Sequence, residues 1–163
     1  MDRIYSPWRS GYFDSKMCGC VFCEISQNAQ DDEKNRVIYR DGVCFGVMNL
    51  YPYTPGHFML IPHKHCDCPS LLDTKEWQHI HMLSQKAFDV LYEYGASGIN
   101  MGMNIKQAGG AGLPEHIHLH FVPRYLGDTN FLTSIADART YGIDFDSVFL
   151  KIKTLCTKHF TRG

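Results

Sequence analysis

The stretch His116-Ile117-His118-Leu119-His120-Phe121-Val122 alternates imidazoles with apolar side chains. Period-two alternation belongs to a half-buried strand, because successive side chains leave opposite faces. The three imidazoles then share one face, about 6.7 Å apart at successive positions. Ile117, Leu119 and Phe121 turn the other way, toward a core. Nine His in 163 residues would give this spacing by chance only about 0.03 times. A strand of this kind needs a sheet with one face packed and the other open to chemistry.

Working outward, the strand is predicted over 116–122, ending at Pro123. Just before it, Gly109-Gly110-Ala111-Gly112 forms a flexible loop whose backbone N–H groups can approach an anion closely. Gly98 to Met103 reads as a fourth strand. Upstream, Asp73 and Glu76 have the spacing of a capping box. Ile80, Leu83, Ala87, Val90, Leu91 and Tyr94 then recur at helical spacing until Gly95 stops the helix. His79 and His81 lie two apart on that helix, face different directions and read as ordinary histidines.

A third strand, His57 to Ile61, ends at Pro62. Asp41-Gly42 sits between Val37–Arg40 and Val43–Met48, which predicts a hairpin with positive φ at both turn positions. Residues 24–35 are polar and read as a loop. Phe145, Val148, Phe149, Ile152, Leu155, Cys156 and Phe160 fit one face of a second main helix. The predicted class is α+β, with a mostly antiparallel five-stranded sheet and two main helices.

Length and composition fit one domain, 1–163, with an aromatic N-terminal arm (1–17) and a C-terminal helical extension (about 127–163). Hydrophobic residues at 44% exclude a disordered chain. Lys+Arg 16 against Asp+Glu 17 gives a net charge of -1. That balance argues against nucleic-acid partners and a polybasic membrane anchor, but leaves room for a single nucleotide. No apolar run suits a membrane span and the start lacks a signal-peptide core, so the expectation is a cytoplasmic protein.

Seven Cys without a secretion signal argue against disulfides. Cys20-Val21-Phe22-Cys23 is either half of a tetrahedral metal site or a pair of reduced thiols. Neutral imidazole attacks phosphorus near pH 7 and leaves again, so the central His of the triplet suits a covalent nucleotidyl carrier. No P-loop and no H-E-x-x-H motif is present.

The triplet matches the signature His-φ-His-φ-His-φ-φ, with φ apolar, and the chain resembles the histidine triad (HIT) superfamily. The resemblance runs from about Cys20 to Arg124 and includes Asn49-Leu50-Tyr51-Pro52-Tyr53-Thr54-Pro55-Gly56-His57. Within the superfamily it is most similar to bacterial diadenosine tetraphosphate (Ap4A) phosphorylases. The supporting segments are Tyr5-Ser6-Pro7-Trp8-Arg9, Gly102-Met103-Asn104 and Gly127-Asp128-Thr129-Asn130-Phe131.

The resemblance implies a HIT-like fold and a role for each matching residue. His118 would be the nucleophile, His120 would contact phosphates and orient the reacting group, and His57 would support the triad. Asn49 would bind ribose hydroxyls. Asn104 and the loop at Gly110, Ala111 and Gly112 would hold phosphate oxygens. Cys20, Cys23, His65 and His116 would form a closed structural zinc site, with Cys18, His63, Cys66 and Cys68 as competitors for a place in it.

Many members carry Gln where this chain has Leu113, which favours inorganic phosphate over water as acceptor. The activity implied is phosphorolysis of Ap4A through a nucleotidyl-histidine. The alternatives are a hydrolase or phosphoramidase using water, with AMP among the products, and a zinc-stabilised nucleotide-binding module without turnover. A homodimer is also implied.

Overall fold

The computed structural model describes residues 19–127 and 142–160. Five strands, β1 (Val37–Arg40), β2 (Cys44–Met48), β3 (Phe58–Pro62), β4 (Gly98–Gly102) and β5 (Leu119–Arg124), form one sheet in the order β1-β2-β3-β5-β4. Every neighbouring pair is antiparallel. Among the described residues three helices accompany it: α1 (Val21–Gln27), α2 (Thr74–Tyr94) and α3 (Phe145–Phe160). The architecture is the predicted α+β arrangement. The N-terminal arm, Cys18 and Asp128 to Phe131 lie outside the described residues.

Alternation gives the sheet two apolar faces. Ile38, Cys44, Met48, Phe58, Leu60, Leu119 and Phe121 pack with the buried faces of α2 and α3. Val37, Phe45, Val47, Met59 and Ile61 turn the other way, where Phe22 of α1 covers them. The register sets Met59 beside His120 across the β3–β5 ladder, so the histidines share this second face.

Helix α2 starts as its sequence dictates. The Asp73 carboxylate accepts the Glu76 N–H (2.8 Å), and the Glu76 carboxylate accepts the Asp73 N–H (2.9 Å). Gly95 ends it in the left-handed region at φ 119. Helix α3 buries Val148, Phe149, Ile152, Leu155, Cys156 and Phe160. Ion pairs from Asp146 to Arg36, from Lys153 to Glu33 and from Lys158 to Glu93 surround that face. Such surface pairs are worth at most about 1 kcal/mol, whereas each large apolar side chain contributes about 1.5–3 kcal/mol when buried. Packing therefore holds α3.

Three local expectations are corrected. The fifth strand begins at Leu119 and runs through Pro123 to Arg124, whereas 116–122 was expected. Pro123 is tolerated because β3 pairs with β5 only as far as Phe121, so no ladder bond is lost on that side. Its carbonyl instead accepts the Thr54 hydroxyl (2.7 Å).

The β1–β2 hairpin forms, but neither Asp41 nor Gly42 has positive φ. The Asp41 carboxylate accepts the Val43 and Cys44 N–H groups (2.7 and 2.9 Å), so a side-chain turn replaces the expected backbone one.

Residues 24–35 are not a simple loop. α1 occupies their start and a 3₁₀ turn spans Ala29–Asp31. Arg40 supports this segment by donating to the carbonyls of Ile25 and Ser26 and pairing with Asp32. No helix among the described residues is long and apolar enough to cross a membrane.

Candidate active site and metal centre

His57 stands at the entrance to β3 with no exposed surface. Its Nδ1 accepts the Tyr53 backbone N–H (3.2 Å). The ring proton of the neutral form must then sit on Nε2, which lies 3.0 Å from His120 Nδ1. His57 therefore donates to His120, and His120 carries its own proton on Nε2. The Asn49 Oδ1 accepts the Tyr51 N–H (2.9 Å), closing the turn before Pro52, while its Nδ2 lies 3.4 Å from His57 Nε2.

His118 is oriented in the opposite sense. Its Nδ1 lies 2.9 Å from the His116 carbonyl and must be the donor there, which leaves the Nε2 lone pair unprotonated. The ring is 6% exposed. Burial holds its pKa below the ordinary imidazole value, with the bond to the His116 carbonyl opposing. Burial, joined by the His118 charge, pulls His120 down to about 4. The rings of His118 and His120 meet edge to face at 4.8 Å. The pair thus presents one neutral nucleophilic nitrogen beside one N–H donor.

The four residues implied as zinc ligands come together. Cys20 Sγ lies 3.3 Å from His116 Nδ1, Cys23 Sγ lies 3.7 Å from the same nitrogen, and Cys23 Sγ lies 3.2 Å from His65 Nδ1. All four donor atoms fall within 4.8 Å of one another. His116 donates through Nε2 to the Pro62 carbonyl (2.9 Å), which turns the Nδ1 lone pair toward the thiols. Ligand bonds of about 2.0–2.3 Å in a tetrahedron place donors at roughly these separations, so the set fits a four-coordinate metal. Burial, then the adjoining Cys20 thiol, pushes the Cys23 thiol up to about 11. A divalent cation reverses that preference by binding the thiolate.

Among the described residues the competitors lie elsewhere. His63 accepts from Ser26 Oγ (2.7 Å) and donates to the Asp41 carbonyl (2.9 Å). Cys66 is buried and Cys68 accepts the Ser70 hydroxyl (3.0 Å). His79 pairs with Asp41 (2.6 Å) and His81 meets the Trp77 carbonyl (2.9 Å), so they do diverge.

The glycine loop differs in detail from its sequence reading. The Gly110 N–H bonds to the Gln107 carbonyl (3.0 Å) and the Ala111 N–H to the Lys106 carbonyl (3.3 Å), so both amides brace the loop itself. Asn104 lies two residues beyond the end of β4. Leu113 packs against the apolar cluster around Phe22.

Two neighbours escaped sequence reasoning. The Phe22 ring lies 5.6 Å from His116 and 5.2 Å from His118, and Tyr53 stacks on His57 at 5.1 Å with a 16° tilt. Phe22 sits inside the C-x-x-C, whose spacing draws attention to sulfur alone. Tyr53 acts on His57 partly through its main chain, which no residue type advertises.

Comparison with known proteins agrees with this geometry. Residues 30–127 match the HIT domain family. The chain is 33% identical over 150 residues to an AP-4-A phosphorylase from Mycobacterium tuberculosis, covering 85% of this chain and 76% of that protein. It is 28% identical over 95 residues to an asymmetrical bis(5'-nucleosyl)-tetraphosphatase from Schizosaccharomyces pombe, covering 58% of this chain and 52% of the other. A crystal structure of a Zn-bound histidine triad family protein from Mycobacterium smegmatis superposes with a TM-score of 0.71 at 25% identity. It covers 89% of this chain and 98% of its own.

Proposed function

The chain belongs to the HIT domain family, and from that premise we propose that it is a nucleotidyltransferase that cleaves Ap4A by phosphorolysis. The observation that carries this reading is His118, a buried ring whose Nδ1 proton is committed to the His116 carbonyl and whose Nε2 lone pair is not.

In the first step Nε2 attacks an α-phosphorus. An N–P bond forms as the P–O bond to the departing nucleotide breaks, and ATP leaves. The charge that develops on the imidazole faces the His116 carbonyl dipole. His120, held by His57, offers its Nε2–H to a phosphate oxygen. Asn49 is assigned to the ribose, and Asn104 with Gly110, Ala111 and Gly112 to the phosphates. In the second step a phosphate oxygen attacks the same phosphorus, the N–P bond breaks, the pair returns to Nε2 and ADP leaves. Leu113 offers no side-chain amide to position water, which favours phosphate as the acceptor. The similarity to a tetraphosphatase supports water as the alternative acceptor.

Zinc on Cys20, Cys23, His65 and His116 would be a closed structural ion without an open coordination position. These ligands tie α1 and the segment after β3 to the approach to β5, and so fix the chain beside His118. A homodimer belongs to the same reading: β4 ends the sheet, with Asn100, Met101 and Gly102 exposed along it.

Ap4A labelled on the α-phosphate should leave acid-labile label on the protein. Label unchanged in His118→Ala would overturn the reading. In phosphate buffer the products should be ADP and ATP, whereas AMP and ATP would identify water as the acceptor.

A further inference from the structure

The segments 49–57 and 104–120 carry His57, the glycine loop and the three histidines of the triad. Imidazoles aside, Lys106 is their one basic side chain. Its backbone sits at φ 59, ψ 174, a region that glycine enters freely and a residue with a Cβ rarely does. A Lys held there invites a reason in its charge.

Its position supplies one. The β4–β5 register runs from Gly98 opposite Arg124 to Gly102 opposite His120. Asn104 lies two residues beyond that last pair, on the stretch that leads into the glycine loop before the triad. Lys106 follows two residues on, within about 7 Å of chain, and its side chain extends the reach. The Lys106 carbonyl accepts the Gly109 and Ala111 N–H groups, so this residue closes the glycine loop. Its Nζ lies 3.2 Å from Asp67 Oδ2, with both side chains well exposed. Asp67 adjoins Cys66, whose carbonyl accepts the Ile117 N–H (2.8 Å). The ammonium is thereby tethered next to the 116–118 stretch by an exposed pair, a contact that a phosphate can replace at small cost.

We propose that Lys106 binds the phosphate group bonded next to the α-phosphorus, and so makes the site selective for substrates carrying two or more linked phosphates. This rests on the nucleotidyl-transfer reading. A multiply charged polyphosphate reaching the triad finds no other Lys or Arg in 49–57 or 104–120. In a double displacement the departing phosphate and the incoming one occupy the same position opposite the nucleophile. One ammonium therefore serves both: in the first step it takes the substrate's β-phosphate, which leaves as the terminal phosphate of ATP, and in the second it takes orthophosphate.

The test is equilibrium binding of AMP, ADP and ATP, followed by calorimetry, to the wild-type chain, Lys106→Gly and Lys106→Arg. Glycine removes the charge and suits the backbone. Loss of one charge-assisted contact should weaken ADP and ATP about tenfold and AMP less than twofold. Lys106→Arg should keep ADP within about threefold of wild type, and the ADP preference should shrink as salt rises. Equal weakening of AMP and ADP, or none for either, would overturn the assignment. Because binding needs no turnover, this result stands apart from the labelling experiment on His118. Among variants that form labelled enzyme, Lys106→Gly should show slower labelling from Ap4A if the departing phosphate uses the ammonium. It should show slower discharge by orthophosphate if the acceptor does.

Discussion

His57 Nε2 lies 3.0 Å from His120 Nδ1, and the proton between them belongs to His57. That assignment follows from the Tyr53 amide at the far nitrogen of His57. Replacing His57 by Ala removes the donor that fixes the His120 tautomer. Formation of the nucleotidyl enzyme should slow on the order of 100-fold, with KM for Ap4A little changed. Rapid-quench labelling separates the two. A change confined to KM would show that His57 acts in binding.

The acid limb of kcat/KM should lie below pH 6.5, because burial lowers the His118 and His120 pKa values. His120, at about 4, should supply an inflection near that pH. Stability follows the same sign. A group with its folded pKa depressed to about 4 takes up protons first in the unfolded chain. Its contribution is whole above about pH 6.5 and falls as pH drops toward 4. Denaturant titrations at pH 7 and pH 5 should show the loss at pH 5, and an acid limb at or above 6.5 would contradict the geometry.

Metal content offers a third check. The purified chain should carry about one equivalent of zinc, and Cys23→Ser should lower both content and thermal stability. A strong chelator should reduce Tm by roughly 5 °C or more, since metal binding at such sites is coupled to folding. Elemental analysis and a melting curve suffice, and a wild-type chain with no zinc and no response to chelation would remove the assignment.

Backbone strain at Lys106 is of the kind that costs about 1–3 kcal/mol. Lys106→Gly should therefore raise Tm by about 2–8 °C while weakening nucleotide diphosphates. Lys106→Ala keeps the Cβ and should give no such rise. The two melting curves measure strain separately from charge.

Asp41 gathers the hairpin and α2. It accepts from Val43 N–H, Cys44 N–H, Tyr39 Oη and His79 Nε2. Burial pushes its pKa up, yet these donors together outweigh burial and hold it at about 2. Its stabilisation is whole above about pH 4 and is lost as pH falls through 2. Asp41→Ala should cost about 2–3 kcal/mol by stranding those donors, measured in denaturant at pH 7.

Much of this was legible beforehand. Periodicity carried α2 and α3, and the capping spacing at Asp73 and Glu76 placed the start of α2. The His triplet announced a chemical face because strand alternation is a rigid geometric rule. Other features were hidden for identifiable reasons. α1 is seven residues long, too short for a helical period to stand out from sequence, and Phe22 is its one buried residue. The Asp41 turn depends on a side chain replacing backbone conformation, which the Asp-Gly pair does not distinguish. The family resemblance proposed Cys20, Cys23, His65 and His116, yet their approach spans up to 96 residues of sequence and depends on the whole sheet.

Three imidazoles here take their proton placement from the main chain: His57 from an amide of Tyr53, His118 from the carbonyl of His116, and His116 from the carbonyl of Pro62. Peptide carbonyls persist whatever residue occupies a position, and the amide N–H persists in every residue but proline. Mutational drift at 53, 62 or 116 can therefore remodel surface, ligand set and specificity while the backbone trace retains the proton pattern. The reactive chemistry is inherited with the path of the chain, and its neighbours are comparatively free to diversify.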